Sequence, residues 1–122
     1  MSIDVFDIDV NTSTEPEFTS GFPVDFALHT NVGSNTENYL ANRLTAGKYM
    51  FTEGTAAESL AHTNFKWDYP DGWLKNFWQG NSNTYSYMWR RAPGFCDVVC
   101  YEGDANTTQA ITHNLGVKPE FA

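Results

Sequence analysis

The sequence predicts an all-β protein, an antiparallel β-sandwich of the jelly-roll type with at most one short helix. Three observations lead to this fold class. Short segments alternate between apolar and polar residues, turn residues separate them at close spacing, and no low-complexity linker divides the 122 residues. Hydrophobic residues at 41% and charged residues at 18% are typical of a globular chain.

The first two strands are predicted near the N-terminus. At positions 6–10, Phe6, Ile8 and Val10 alternate with acidic residues, which indicates a half-buried strand with its acidic side facing solvent. Residues 11–20 are polar and read as a loop. A second strand follows within 22–30, with a proline near its start.

The middle of the chain gives weaker signals. A loop is predicted at 33–37, the segment 39–44 is ambiguous, and 48–51 is a short strand. Thr55 and Glu58 have the spacing of a capping box, which predicts one or two helical turns as far as Ala61.

The last third is again extended. Turns are predicted at 69–72 and 79–83, and strands at 84–90 and 96–101, with a Pro-Gly break between these strands. One face of the first of these strands is aromatic and consists of Tyr85, Tyr87 and Trp89.

The charge of the chain excludes several partners. Seven Lys and Arg residues against fifteen Asp and Glu residues give a net charge of −8. We therefore expect no nucleic-acid partner and no docking on an anionic membrane. We also expect no membrane insertion, because no apolar run approaches the length of about 18 residues that a span needs.

Cys96 and Cys100 predict neither a disulfide nor a metal site. In a strand, residues four apart lie about 13 Å apart, which is too far for a disulfide. Their spacing also differs from that of zinc and redox motifs, so we expect small buried or half-buried side chains. No catalytic motif, metal site or cofactor site is recognised, and no enzymatic activity is expected.

The most informative feature is an internal repeat. Residues 5–27 match residues 100–122 at six of 23 positions, where chance would give about one or two. The matches share one spacing of 95 residues, as between Gly21 and Gly116. We therefore expect residues 1–95 to form one β unit and residues 96–122 to open a second copy. That copy is packed back on the first, donated to a neighbour, or truncated as an excerpt of a longer protein.

A family resemblance rests on the second copy. The segments Arg91-Ala92-Pro93-Gly94-Phe95-Cys96-Asp97-Val98-Val99 and His113-Asn114-Leu115-Gly116-Val117-Lys118-Pro119-Glu120 resemble a repeat of uncharacterised bacteriophage tail-fibre-like proteins. The resemblance is specific over residues 89–120 and loose elsewhere. It departs from the family pattern at both cysteines and at residues 102–106, where the family has a Gly-Asn-Gly turn. It implies a non-enzymatic structural or adhesive component of a phage particle.

From this resemblance we expect a tail fibre or similar surface appendage, made in the bacterial cytoplasm and located in the virion. Its partners would be copies of itself, with a trimer favoured, other virion proteins and host-surface glycans. Two alternatives remain: a monomeric carbohydrate-binding module, and a capsid-decorating architectural protein. We expect acidic outer faces to keep the unit soluble.

The candidate site residues follow from these hypotheses. An aromatic cluster within residues 67–78 could stack on sugar rings or form the core. The candidate glycan-binding residues are Trp67, Tyr69, Trp73 and Trp78. Predicted interface residues are the adjacent basic pair Arg90 and Arg91, which could meet carboxylates of a neighbour, and Phe121. In the disfavoured enzyme hypothesis, Glu15 and Glu17, or Asp68 and Asp71, could pair as glycosidase carboxylates. His113 is expected to hold a loop before Gly116 by hydrogen bonding.

Overall fold

The computed structural model describes residues 4–12, 14–33, 38–60, 65–75 and 83–122, and within them the fold is all-β. The strands are β1 Phe6–Val10, β2 Phe18–Thr19, β3 Phe26–Asn31, β4 Tyr39–Asn42, β5 Lys48–Phe51, β6 Ser59–Leu60, β7 Gly72–Trp73 and β8 Thr84–Trp89. A single 3-10 turn, Arg43–Thr45, follows β4, and Asn42 caps it by accepting a hydrogen bond from the Thr45 N–H. The predicted all-β class with antiparallel sheets is confirmed.

Six strands form one antiparallel sheet in the order β1-β8-β3-β4-β5-β6, and β2 pairs with β7 in a second sheet. The last strand in the sequence, β8, lies between β1 and β3 and pairs with both along its length. This arrangement joins the two ends of the unit, because β8 pairs with strands that lie near the N-terminus. These pairings can form only after residues far apart in the chain have come together.

The small β2–β7 sheet covers one face of the large sheet. Trp73 is fully buried, and its indole Nε1–H donates a 2.9 Å hydrogen bond to Ser86 Oγ of β8. Phe18 stacks on Trp73 with ring centroids 5.7 Å apart, and it meets His29 of β3 edge to face with centroids 6.0 Å apart. These contacts join the two layers, although the second layer of the described strands is much smaller than that of a jelly roll.

Aromatic rings fill the space between the layers. Trp67 stacks on Trp73 with centroids 4.7 Å apart, and His29 stacks on Tyr39 at 4.6 Å. Stacked and edge-to-face rings of this kind add to the stabilisation from their buried area. The buried hydrophobic cluster consists of Phe18, Phe22, Val24, Ala27, Tyr39, Ala41, Phe65, Trp67, Trp73 and Met88.

Three element predictions were wrong. Residues 18–19 form β2 within the segment 11–20, which was predicted to be a loop. Residues 55–58 form no helix, because the chain runs on into β6, which pairs with the edge of β5. Residues 96–101 form no strand beyond an isolated bridge between Ala92 and Cys96. A strand directly after β8 has no edge of β8 to join, because β1 and β3 occupy both.

Several predicted features lie outside the described residues. They include most of the loop at 33–37, the end of the predicted helix at Ala61, Trp78, and most of the turn at 79–83.

Gly72 provides a test of how closely the β2–β7 pair approaches. A Cβ atom at this position would lie 2.1 Å from the Phe18 carbonyl oxygen, so the backbone itself would have to move. We expect Gly72→Ala to lower the free energy of unfolding by about 2–3 kcal/mol or more. Urea denaturation followed by tryptophan fluorescence measures this change.

The matched control for this prediction is Gly103→Ala. A Cβ atom there has open space within 4 Å. Equal urea midpoints for Gly72→Ala and Gly103→Ala would show that β2 and β7 do not approach as closely as described.

Candidate functional site

The face of the large sheet that points away from the β2–β7 pair is apolar. Side chains of directly paired residues share a face, so the strand register defines this surface, here called the outer face. Its middle row crosses five strands and consists of Ile8, Tyr87, Leu28, Leu40 and Met50. The rows on either side consist of Phe6, Trp89 and Phe26, and of Val10, Tyr85 and Thr30.

The outer face has no second layer among the described strands. Ile8 is 46% exposed and Met50 47%, at opposite sides of the middle row, and Phe6 and Tyr85 are also exposed. The remaining apolar members are half-buried by their neighbours in the sheet. Contiguous exposed apolar patches of this kind mark interaction surfaces in soluble proteins.

The outer face is also almost free of charge. Among the outward positions of β1, β3, β4, β5 and β8, Lys48 is the one charged residue, and its Nζ lies 3.5 Å from a Glu58 carboxylate oxygen. The expectation of acidic outer faces is therefore wrong for this surface. Asp9 points to the other side of β1, where its carboxylate accepts hydrogen bonds from the Thr19 N–H and hydroxyl at 2.7 and 2.8 Å.

The end of β8 is contacted on one side by residues 5–6 and on the other by residues 25–26. The Trp89 ring lies between Phe6 at 5.2 Å and Phe26 at 5.3 Å. Beyond it, the Arg90 N–H donates to the Val5 carbonyl, and the Asp25 N–H donates to the Trp89 carbonyl. The N-terminal clamp is the name used here for residues 5–10 and 25–27, which hold the end of β8 in this way.

Asp25 is the polar centre of the N-terminal clamp. One carboxylate oxygen accepts a 2.9 Å hydrogen bond from the Arg91 N–H, and the other lies 3.4 Å from both Arg91 Nη2 and Arg43 Nε. Arg91 was predicted to meet a carboxylate of a neighbouring subunit, but it pairs within the chain. Arg90 is half-buried, and its backbone N–H bonds Val5, so the interface role of the two arginines stays a prediction.

The aromatic cluster is part of the core. Trp67 and Trp73 are buried and stack on each other, and the Trp67 Nε1–H donates to the Ala46 carbonyl at 3.0 Å. The prediction that these two rings bind a sugar is wrong, and the core interpretation is confirmed for them. Tyr69 is half-buried, and its hydroxyl donates to a Glu15 carboxylate at 2.9 Å. Burial, that hydrogen bond and the negative charge of Glu15 raise the pKa of Tyr69.

Glu15 and Glu17 do not share a site. The Glu17 side chain is buried, where it accepts hydrogen bonds from the Asn11 amide and, at 3.0 Å, from the Lys75 N–H. It therefore ties two loops together. Glu15 is exposed and contacts Tyr69. This arrangement gives Glu17 a structural role, and the two glutamates do not form the carboxylate pair that was considered for them.

The two segments that carry the phage resemblance contact each other. The Gly94 N–H donates to the Leu115 carbonyl at 2.7 Å, and the Asn114 N–H donates to an Asp97 carboxylate at 2.7 Å. His113 Nδ1 accepts from the Leu115 N–H at 3.2 Å, so its predicted loop-holding role is confirmed. These bonds close the base of an exposed segment over residues 99–112.

The cysteines are free. Cys96 is half-buried as predicted, whereas Cys100 is exposed because the expected strand does not form. Burial and the nearby carboxylates of Asp97 and Asp25 raise the pKa of the Cys96 thiol, although Arg91 acts in the opposite direction.

No protein-family model, curated protein or solved structure matches the chain. The phage resemblance therefore stays a prediction that rests on residues 89–120. In the described ranges, no helix has the length and apolar character of a membrane span, and no cluster of three or more His, Cys, Asp or Glu residues could hold a metal ion.

The outer face was missed in the sequence analysis. Alternation showed that Tyr85, Tyr87 and Trp89 share a side of β8, but a single strand does not reveal which side meets the core. The available signal was that the opposite side carries small or unbranched residues, Ser86 and Met88, which are the ones the core encloses.

Asp25 can be tested by truncation. Asp25→Ala removes the acceptor for the Arg91 N–H and both guanidinium contacts, so we expect a loss of about 2 kcal/mol in the free energy of unfolding. The control is Asp68→Ala, whose fully exposed carboxylate lies 3.9 Å from Arg43. It should leave the free energy of unfolding nearly unchanged, because water screens the contact of an exposed carboxylate. Chemical denaturation measures both, and equal losses would contradict the role assigned to Asp25.

Alkylation tests the placement of the two cysteines. The single variants Cys96→Ser and Cys100→Ser each leave one thiol for iodoacetamide. We expect Cys96 to react more slowly, because it is half-buried and its raised pKa keeps less thiolate at neutral pH. Mass spectrometry over a pH series should show the Cys96 rate rising as the pH is raised. A faster reaction at Cys96 would show that this thiol is not placed as described.

Proposed function

We propose that the protein is a non-enzymatic structural component of a phage particle, assembled from copies of itself through the outer face. The observation that supports this proposal is the apolar, nearly uncharged outer face on a chain of net charge −8. The phage part of the proposal rests on the sequence resemblance over residues 89–120.

Charge favours a second copy as the occupant of the outer face. Two chains of charge −8 repel each other, and the repulsion is smallest where the contact surface carries least charge. Aromatic residues and methionine are enriched at the centres of protein interfaces, and charged residues are depleted there. The outer face has this composition, since Phe6, Tyr85, Trp89 and Met50 contribute to it.

The area of the outer face predicts how strongly two copies associate through it. Five strands about 4.8 Å apart and about 14 Å of strand length give a projected area of about 340 Å². A standard interface buries about 800 Å² on each partner. Self-association through this face alone should therefore depend on protein concentration, with neighbouring loops or other virion proteins completing a stable assembly.

Light scattering on the purified chain tests this proposal. We expect a closed oligomer at high concentration that dissociates on dilution. The double variant Ile8→Lys with Met50→Lys places two charges on exposed outer-face positions and should shift the midpoint of dissociation at least about tenfold higher in concentration. Circular dichroism should be unchanged, because both side chains are already half in solvent.

The matched control is Val117→Lys, an exposed apolar residue outside the sheet. Its oligomer should match the wild type. A wild-type chain that stays monomeric at every concentration would overturn the proposal. Dissociation by Val117→Lys alone would place the contact in the C-terminal segment instead of on the outer face.

A further inference from the structure

The N-terminal clamp shows what the repeated residues do in the first copy of the internal repeat: they hold β8. The residues of the first copy that grip β8 all have counterparts 95 positions later. Phe6 corresponds to Tyr101, Asp25 to Glu120, and Phe26 to Phe121. The C-terminal clamp is the name used here for residues 100–105 and 120–122, the counterparts of the N-terminal clamp.

The backbone supports this correspondence independently of the side chains. Gly21 has a φ of +71° and Gly116 a φ of +74°. Both glycines precede the acidic residue of their clamp by four positions. The left-handed region favours glycine, so the same turn geometry precedes the same residues in both copies.

The two clamps differ in what they hold. In the N-terminal clamp, Phe6 and Phe26 enclose the Trp89 ring. In the C-terminal clamp, Tyr101 is 67% exposed and Phe121 is 95% exposed. Glu120 is exposed as well, whereas Asp25 binds Arg91. The C-terminal clamp therefore repeats the residues of the first without enclosing a strand.

We propose that the C-terminal clamp binds an extended polypeptide segment with the pattern of β8, in which alternate aromatic residues end in Trp-Arg-Arg. Tyr101 and Phe121 enclose the tryptophan ring of this segment, and Glu120 accepts from the backbone and guanidinium of its second arginine. The interaction is strand addition, with main-chain hydrogen bonds giving affinity and the aromatic and acidic residues giving specificity.

The segment comes from outside these 122 residues. The chain's own β8 has β1 on one edge and β3 on the other, and the same is true in any folded second copy. Neither edge of β8 is open to the C-terminal clamp. A further polypeptide segment with the same pattern, from outside these 122 residues, meets the requirement.

Binding requires the clamp to become ordered. Residues 100–105 form no strand, and Ala105 has a φ of +61°, which is incompatible with one. The turn held by the hydrogen bond from the Asn106 N–H to Asp104 must open. Ordering on binding lowers the affinity, so the complex is weaker than the contacts of the N-terminal clamp would give.

The test uses a synthetic peptide with the sequence of residues 84–93, titrated into the isotopically labelled full chain and followed by NMR. We expect shifts concentrated at residues 100–105 and 120–122. Phe121→Ala should weaken binding about tenfold, as should replacing the tryptophan of the peptide by alanine. Glu120→Gln should weaken it several-fold at low salt and remove most of its salt dependence.

The control variant is Val117→Ala, which truncates an exposed apolar residue between the two parts of the C-terminal clamp and should leave affinity unchanged. No shifts at millimolar peptide would overturn the proposal. Binding that ignores both Phe121→Ala and Glu120→Gln would also overturn it, because the peptide would then be joining the open edge of β1 or replacing β8.

This proposal does not depend on self-association through the outer face. Repeating the titration with the Ile8→Lys, Met50→Lys double variant separates the two. Retained peptide binding in a chain that no longer self-associates would show that the surfaces act independently. Loss of peptide binding in that variant would overturn the assignment to the C-terminal clamp, because neither substitution touches it.

Discussion

The hydrogen bond from Trp73 to Ser86 joins the two sheets of this fold. Trp73 belongs to the small second layer, and Ser86 lies in β8, which pairs with β1 on one side and β3 on the other in the large sheet. A buried indole N–H needs an acceptor, and a serine in β8 supplies one without filling the space that the ring requires. Because Ser86 points inward, the alternating aromatic residues Tyr85 and Tyr87 point outward. The internal packing of one ring thus determines the composition of the outer face.

This constraint explains why a chain with 15 acidic residues presents a surface on which Lys48 is the one charged residue among the outward strand positions. The second layer packs on the side of β8 that carries the small or unbranched residues Ser86 and Met88. The side with the bulky aromatic residues therefore faces solvent. β1 follows the same rule, since its Asp9 bonds Thr19 in the second layer and its Ile8 lies in the outer face. Asp9 of β1 therefore links the two layers, whereas Asp7 is exposed and accepts a hydrogen bond from the Ile8 N–H.

The sequence was sufficient for the fold class and for four of the longer strands, because alternation over several residues is a local property. β1, β3, β5 and β8 lie where alternation or apolar runs predicted strands. The helix at 55–61 failed because pairing with the edge of β5 outweighed a local capping signal. The candidate site failed for a related reason. An aromatic cluster such as Trp67 and Trp73 has the same sequence pattern in a core as on a sugar-binding surface, and only the arrangement of the layers distinguishes them.

The repeat is the sequence feature that the fold explains best. Residues 5–27 have their role only because β8 returns between β1 and β3, about 60 residues later. A second set of the same residues has no structural use within the first sheet, since the positions beside β8 are filled. The exposure of Tyr101 and Phe121 follows from this geometry and does not reflect a defect in the sequence. Residues that contact β8 in the first copy have exposed counterparts in the second copy, which indicates that the second copy lacks a strand equivalent to β8. The first copy defines the pattern of that strand. Small residues point inward, aromatic rings point outward, and an arginine is placed to meet a carboxylate.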